Sequence, residues 1–116
     1  MNLKMIMAFV PDERTDEVIE AARQAGATGA TVITGVRGEG LHPGKTFLGL
    51  ELAAQRDAVL ILVADIKARA ILEKVAEVAG FDEESGAGVA IQLSIDDAVG
   101  MGTQAATILH EVEEQI

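Results

Sequence analysis

The chain has 116 residues, 49% of them apolar, a net charge of −10 and no cysteine. This length suits one domain with one core, and the lack of cysteine excludes disulfides, cysteine-ligated zinc and a thiol nucleophile. The negative charge disfavours nucleic acid and anionic membranes as partners, while the short apolar runs predict no membrane span and no signal peptide. We therefore expect a cytoplasmic protein.

The first part of the chain predicts a strand, a helix and a second strand. Leu3–Val10 is a short apolar run typical of a buried strand. A helix is expected to follow, with Thr15 as its N-cap and Gly26 at its end. Gly29–Arg37 is rich in β-branched residues and predicts the second strand. The helix would bury one face, formed by Val18, Ile19, Ala22 and Ala25.

The second part repeats this order and adds a tail. Asp57–Ala64 predicts a third strand, and Asp65 is expected to cap a second helix that runs to Ala79. Val89–Ile95 predicts a fourth strand. The tail has apolar residues at helical spacing and predicts a C-terminal helix, through Ala105, Ile108, Leu109, Val112 and Ile116.

The resulting order, β-α-β-β-α-β, is that of a ferredoxin-like α+β sandwich. Residues 1–101 would form this domain and residues 102–116 the helical tail. Two helices cover one face of such a sheet. The third strand is apolar on both faces, because Val59, Ile61 and Val63 alternate with Leu60 and Leu62. We expect a partner subunit or the tail helix to cover the second face.

The glycine-rich segment Arg37–Glu51 contains a Gly-Lys-Thr triplet but is not a P-loop. The first glycine of that motif would have to stand at position 39, which is Glu39. The residues after the triplet also lack the helix start that would face a phosphate. About 18 residues separate the second and third strands, which is either a long simple connection or a functional loop.

On this topology the segment resembles the T-loop of the PII signal-transduction (nitrogen regulatory) family. The likeness runs from about Leu3 to Met101. The spacing of the T-loop base is kept by Gly38, Gly40, Gly44 and Thr46. "GAGVAI" at Gly86–Ile91 looks like the family's B-loop, and "IDDAVGMG" occupies its C-loop. The resemblance implies a ferredoxin-like homotrimer that binds adenine nucleotides between subunits and docks its T-loop on a target protein.

The resemblance also implies ligand contacts, residue by residue. Thr31 falls where the family contacts adenine, and Arg37 and Arg56 stand where it has cations flanking the T-loop. Arg56 matches a phosphate-contacting position. Glycine amides of the B-loop can point at phosphate. The complete set of expected contacts is Thr31, Arg37, Gly38, Gly40, Arg56, Gly86 and Gly88.

The chain departs from the family where the family carries cations. Val89 replaces the B-loop lysine or arginine, and Gly100 and Gly102 replace two C-loop arginines. Each lost charged contact could cost ~1.5–3 kcal/mol. AMP or ADP, or no nucleotide, therefore fits better than ATP. His42 replaces the glutamine that joins 2-oxoglutarate and Mg²⁺ binding, and with no tyrosine the chain has no uridylylation site.

Two other interpretations stay open. A CutA-type trimeric metal-tolerance protein would share the architecture and could use His42 and the acidic run Asp82–Glu84, but only two histidines and no cysteine are available. A small ferredoxin-like enzyme would need catalytic residues, and the carboxylates of Asp96 and Asp97 have no nucleophile or histidine beside them. We therefore expect a regulator rather than an enzyme, and no resident metal. The expected partners are a target protein and two further copies of the chain.

Overall fold

The structure, a computed structural model, describes residues 2–37, 55–83 and 87–100. Four strands and two α-helices follow one another in the expected order. They are β1 (Leu3–Pro11), α1 (Thr15–Gln24), β2 (Thr31–Val36), β3 (Arg56–Ala64), α2 (Asp65–Ala79) and β4 (Val89–Ser94), with a 3-10 turn over Asp12–Arg14 before α1. The ferredoxin-like α+β fold is confirmed. The predicted tail helix lies outside the described residues.

The strands form one antiparallel sheet in the order β2-β3-β1-β4. Both helices lie on the same side of the sheet. There α2 packs on β1 and β4, and α1 packs against α2. Among the described residues, the fully buried apolar side chains between helices and sheet are aliphatic. The larger ones are Ile6, Val10, Val18, Val59, Ile61, Ile71 and Val75.

A glycine follows the end of each helix: Gly26 after α1, as predicted, and Gly80 directly after the predicted last residue of α2, Ala79. After α1 the Gly26 and Ala27 amides donate to the carbonyls of Arg23 and Ala22, which is the hydrogen-bond pattern of a Schellman motif. Gly26 has a φ of +115°, which a residue with a β-carbon adopts only at a cost.

The two predicted N-caps are wrong. Thr15 and Asp65 are the first helical residues, after Arg14 and Ala64, and neither helix has a side-chain cap. The Thr15 hydroxyl donates to a carboxylate on β3 instead. The Asp65 amide, which has no acceptor within its own helix, donates to the carbonyl of Asn2, the residue before β1.

The second face of the sheet is apolar and carries no described helix. Along β1, Met5 and Met7 lie opposite Leu62 and Leu60 of β3, and opposite Leu93 and Ile91 of β4. Ile91 and Leu93 remain 42% and 40% exposed, and Ile33 at the other edge is 51% exposed. The predicted double-sided character of β3 is confirmed, and a contiguous apolar surface of this kind is typical of a protein interface. We call it the open face.

Candidate functional site

Three of the expected ligand contacts lie at one end of the sheet. Because the strands are antiparallel, the end of β2, the start of β3, the end of β1 and the start of β4 meet there. Arg37 follows β2, and Arg56 opens β3 between Val36 of β2 and Pro11 of β1. Gly88 immediately precedes β4. This end, which we call the loop end, therefore gathers two cations and one glycine of the predicted set.

The two cations differ in environment. Arg37 is exposed, whereas Arg56 is only 3% exposed. Successive residues of a strand point to opposite faces. Since the Asp57 carboxylate contacts α1 on the helix side, Arg56 leaves β3 towards the open face. A buried guanidinium at this position is held more rigidly than a surface one, which suits it to orienting an anion.

Asp57 is a buried carboxylate that sequence reasoning missed. Its Oδ2 accepts a 2.7 Å hydrogen bond from Thr15 Oγ1, across 42 positions of sequence. The contact places a negative charge at the start of α1, where the helix dipole favours it. It also ties the residue next to Arg56 to the first helix. No local pattern signals it, because the partners meet only when β3 is inserted beside β1.

Gly88 has a steric reason to be glycine. Its φ is +124°, and a β-carbon there would come within 2.2 Å of the Phe9 carbonyl oxygen and 3.0 Å of Phe81 Cε1. The chain must pass this close to β1 for Val89 to pair with Phe9. The B-loop glycine was predicted as a phosphate contact, and that role stays a prediction beside this structural one.

Thr31 lies at the start of β2, in register with the middle of the neighbouring strand β3. It pairs with Leu60 and so belongs to the open face. With Met5, Leu62 and residues 28–30 it lines a shallow groove of about 420 Å³. A groove lined by aliphatic side chains and by two threonines, Thr28 and Thr31, suits a flat ring that offers a polar edge. Thr31 lies on one edge strand and Gly88 immediately before the other, and strand spacing and rise separate them by roughly 17 Å.

A second groove, of about 500 Å³, runs between α2 and β4. Gly88, Val89 and Ala90 form its β4 side. Its apolar floor includes Leu72 and Phe81, both packed against the core. Its rim carries acidic side chains of α2 and of the turn after it. Of these acidic residues, only those in the run Asp82–Glu84 were singled out from the sequence, as candidate metal ligands and not as part of a groove.

The remaining predicted contacts, Gly38, Gly40 and Gly86, lie outside the described residues, as do His42 and Lys45. Within residues 2–37, 55–83 and 87–100, no group of three or more histidine, cysteine, aspartate or glutamate side chains is arranged to hold a metal ion. Over the same ranges no helix is long and apolar enough to cross a membrane.

One further buried charge was not predicted. Lys67, in the first turn of α2, is 8% exposed, and its ammonium has no hydrogen-bond partner among the described residues. It lies beside Gly26, where an added β-carbon would come within 2.7 Å of Nζ. The neighbouring C-terminal end of α1 is a favourable place for a cation.

Two solved structures are similar to this chain. The chain resembles CPII from Thiomonas intermedia K12, solved with ADP, AMP and acetate, at 18% identity and a TM-score of 0.64 over 81% of this chain and 86% of that one. It also resembles a candidate PII-like signaling protein from Thermus thermophilus, at 19% identity and a TM-score of 0.60 over 82% and 87% of the two chains. No curated protein matches.

The two structural likenesses establish the fold. The family model "Nitrogen regulatory protein P-II" matches residues 3–108, which is most of the chain. The match includes all four strands, both helices and every predicted contact. The chain therefore belongs to the nitrogen regulatory protein P-II family.

Proposed function

We propose that this chain is a PII-like regulatory protein rather than an enzyme. It works as a cytoplasmic homotrimer that binds a small effector between subunits. The effector is an adenine nucleotide, with AMP or ADP favoured over ATP. Through the segment between β2 and β3 the trimer regulates a target protein, in nitrogen or related metabolism. Family membership and a structural neighbour solved with ADP and AMP support this proposal.

The observation that carries the proposal is the division of the predicted contacts between two separate places on the sheet. Thr31 lies on the open face in register with Leu60 and Met7 near the middle of the sheet, whereas Gly88 lies three strands away, at the loop end. Strand spacing and rise separate the two positions by roughly 17 Å, which exceeds the length of one nucleoside diphosphate. One copy therefore supplies only half of a site, and a second copy seated on the open face can supply the other half.

The open face supplies the reason for the copies to associate. Its exposed side chains Ile33, Ile91 and Leu93, with Met5 and Met7 between them, offer apolar area that a subunit interface would remove from water. A chain of 116 residues with this much exposed aliphatic surface is more stable as an oligomer.

A thermal-shift screen with AMP, ADP, ATP, Mg²⁺, 2-oxoglutarate and Cu²⁺ tests the proposal. A ligand that binds only the native state raises the unfolding midpoint by mass action. We expect AMP or ADP to raise it in the wild type and to fail in Arg37→Ala, whose side chain is exposed and whose loss should leave folding intact. A response to Cu²⁺ alone would instead favour the CutA-type metal-binding alternative, and no nucleotide response at all would contradict the proposed effector class.

A further inference from the structure

The groove between α2 and β4 joins a predicted ligand residue to an unusual concentration of negative charge. Gly88 lines it, and so do four carboxylates, those of Glu73, Glu77, Asp82 and Glu83. At about 500 Å³ the groove is of the size that holds one small ligand. Any anion that reaches Gly88 from this side therefore meets carboxylates first.

The groove has little positive charge to offset them. Arg69 is the one cation among its lining side chains within the described residues, and its Nε already donates to Glu73 Oε1 at 2.8 Å. Asp82 and Glu83 are exposed in the turn after α2, next to Gly88 along the groove. Glu77 lies in the last turn of α2, just before them in the chain. The end of the groove nearest Gly88 is therefore net negative.

We propose that Asp82 and Glu83 determine how many phosphates the effector carries. This inference rests on the proposed nucleotide site. Asp82, Glu83 and Gly88 line the same groove of about 500 Å³, so a phosphate held at Gly88 would lie within the roughly 8–10 Å over which charges interact through water, and each added phosphate would raise the repulsion. The carboxylates do not repel the base and sugar, which are uncharged. The turn thus acts as a charge filter that favours the monophosphate, which is a different effect from the loss of cations at positions 89, 100 and 102.

The filter predicts a specific change in preference. In EDTA, to keep the ligands free of Mg²⁺, the Kd of the wild type should rise from AMP to ADP to ATP. In Asp82→Asn/Glu83→Gln the ratio of the ATP and AMP Kd values should fall about three- to tenfold at low ionic strength. High ionic strength should likewise lower the ratio of the ATP and AMP Kd values in the wild type.

Two control variants separate the filter from other effects. Asp16→Asn/Glu20→Gln removes the same charge from exposed positions of α1 that do not line the groove, and should leave the ratio unchanged. Asp82→Glu/Glu83→Asp keeps the charge and should also leave it unchanged. Both turn positions are exposed, so all of these variants should fold.

Isothermal titration calorimetry of AMP, ADP and ATP decides between the outcomes. A ratio that moves only in Asp82→Asn/Glu83→Gln supports the filter. A wild type that binds ATP as tightly as AMP in EDTA, or a ratio that is equal in all variants, overturns the filter while leaving the nucleotide site standing. Absence of binding by all three nucleotides would overturn the proposed function itself.

Discussion

Thr15 Oγ1 donates a 2.7 Å hydrogen bond to Asp57 Oδ2, and both residues are buried. The bond joins the first residue of α1 to the strand that also carries Arg56. It thereby anchors the loop end of β3 to the first helix. The position of the start of β3 at the loop end therefore depends on this buried hydrogen bond as well as on apolar packing.

Removing the donor should destabilise the fold. Thr15→Val keeps the shape of the side chain but leaves the buried Asp57 carboxylate without this partner, which costs about 1–3 kcal/mol of unfolding free energy. Urea denaturation measures the loss, with Asp16→Asn, an exposed neighbour, as control. A loss below the experimental error of the method would show that water replaces the hydroxyl without cost.

Much of this fold was predictable from the sequence, because its signals are local. The apolar runs, the two helical stripes and the helix-ending glycines each lie within a dozen residues. The Thr15–Asp57 bond could not be predicted, since it spans 42 positions and depends on strand order. For the same reason Thr15 was mistaken for a cap: a threonine before an apolar stripe is a good cap locally, but the tertiary carboxylate takes its hydroxyl.

The glycine at position 88 should tolerate no side chain. Gly88→Ala places a methyl group within 2.2 Å of the Phe9 carbonyl at a φ of +124°, and we expect a loss of at least about 3 kcal/mol or failure to fold.

Substitutions at two other glycines serve as controls for Gly88→Ala. Gly35 has a φ of +72° but open space, so Gly35→Ala should cost only about 1–2 kcal/mol. Gly29 has open space and no left-handed φ, and Gly29→Ala should change stability little. Equal losses in all three variants would contradict the steric explanation for Gly88.

The buried Lys67 should be replaceable by an apolar residue. Lys67→Met keeps the unbranched stem and removes an ammonium that has no hydrogen-bond partner among the described residues. We expect the unfolding free energy to stay constant or rise by about 1 kcal/mol, because an uncompensated buried charge is removed. A loss of more than about 1 kcal/mol would show that the ammonium contributes through the end of α1 or another partner.

The open face should hold the copies together. Ile91→Lys or Leu93→Lys places a charge on that face and should shift the protein from the proposed trimer to a monomer in analytical ultracentrifugation. Ile66→Lys is the control, because Ile66 is 65% exposed but lies on α2, away from the face. Dissociation by the control and not by the face variants would place the interface elsewhere.

The candidate site was less predictable than the fold. Residue-by-residue resemblance located Arg37, Arg56 and Gly88 at what proves to be one end of the sheet. It did not reveal that Thr31 lies away from them, near the middle of the sheet on the open face, since that follows from strand order and register. The steric demand on Gly88 was hidden as well, because the neighbour that requires glycine, Phe9, is in the first strand.

A subunit-mixing experiment tests most directly whether the nucleotide site is shared between copies. Thr31→Ala removes the proposed base contact and Arg37→Ala removes the proposed phosphate-end cation, so on this proposal each variant alone should lose AMP binding in calorimetry. Trimers refolded from equal amounts of the two should regain about a quarter of the wild-type sites, since some interfaces then combine an intact Thr31 from one copy with an intact Arg37 from another. Wild-type binding with no recovery in the mixture would show that one chain supplies both contacts, and would contradict the shared site.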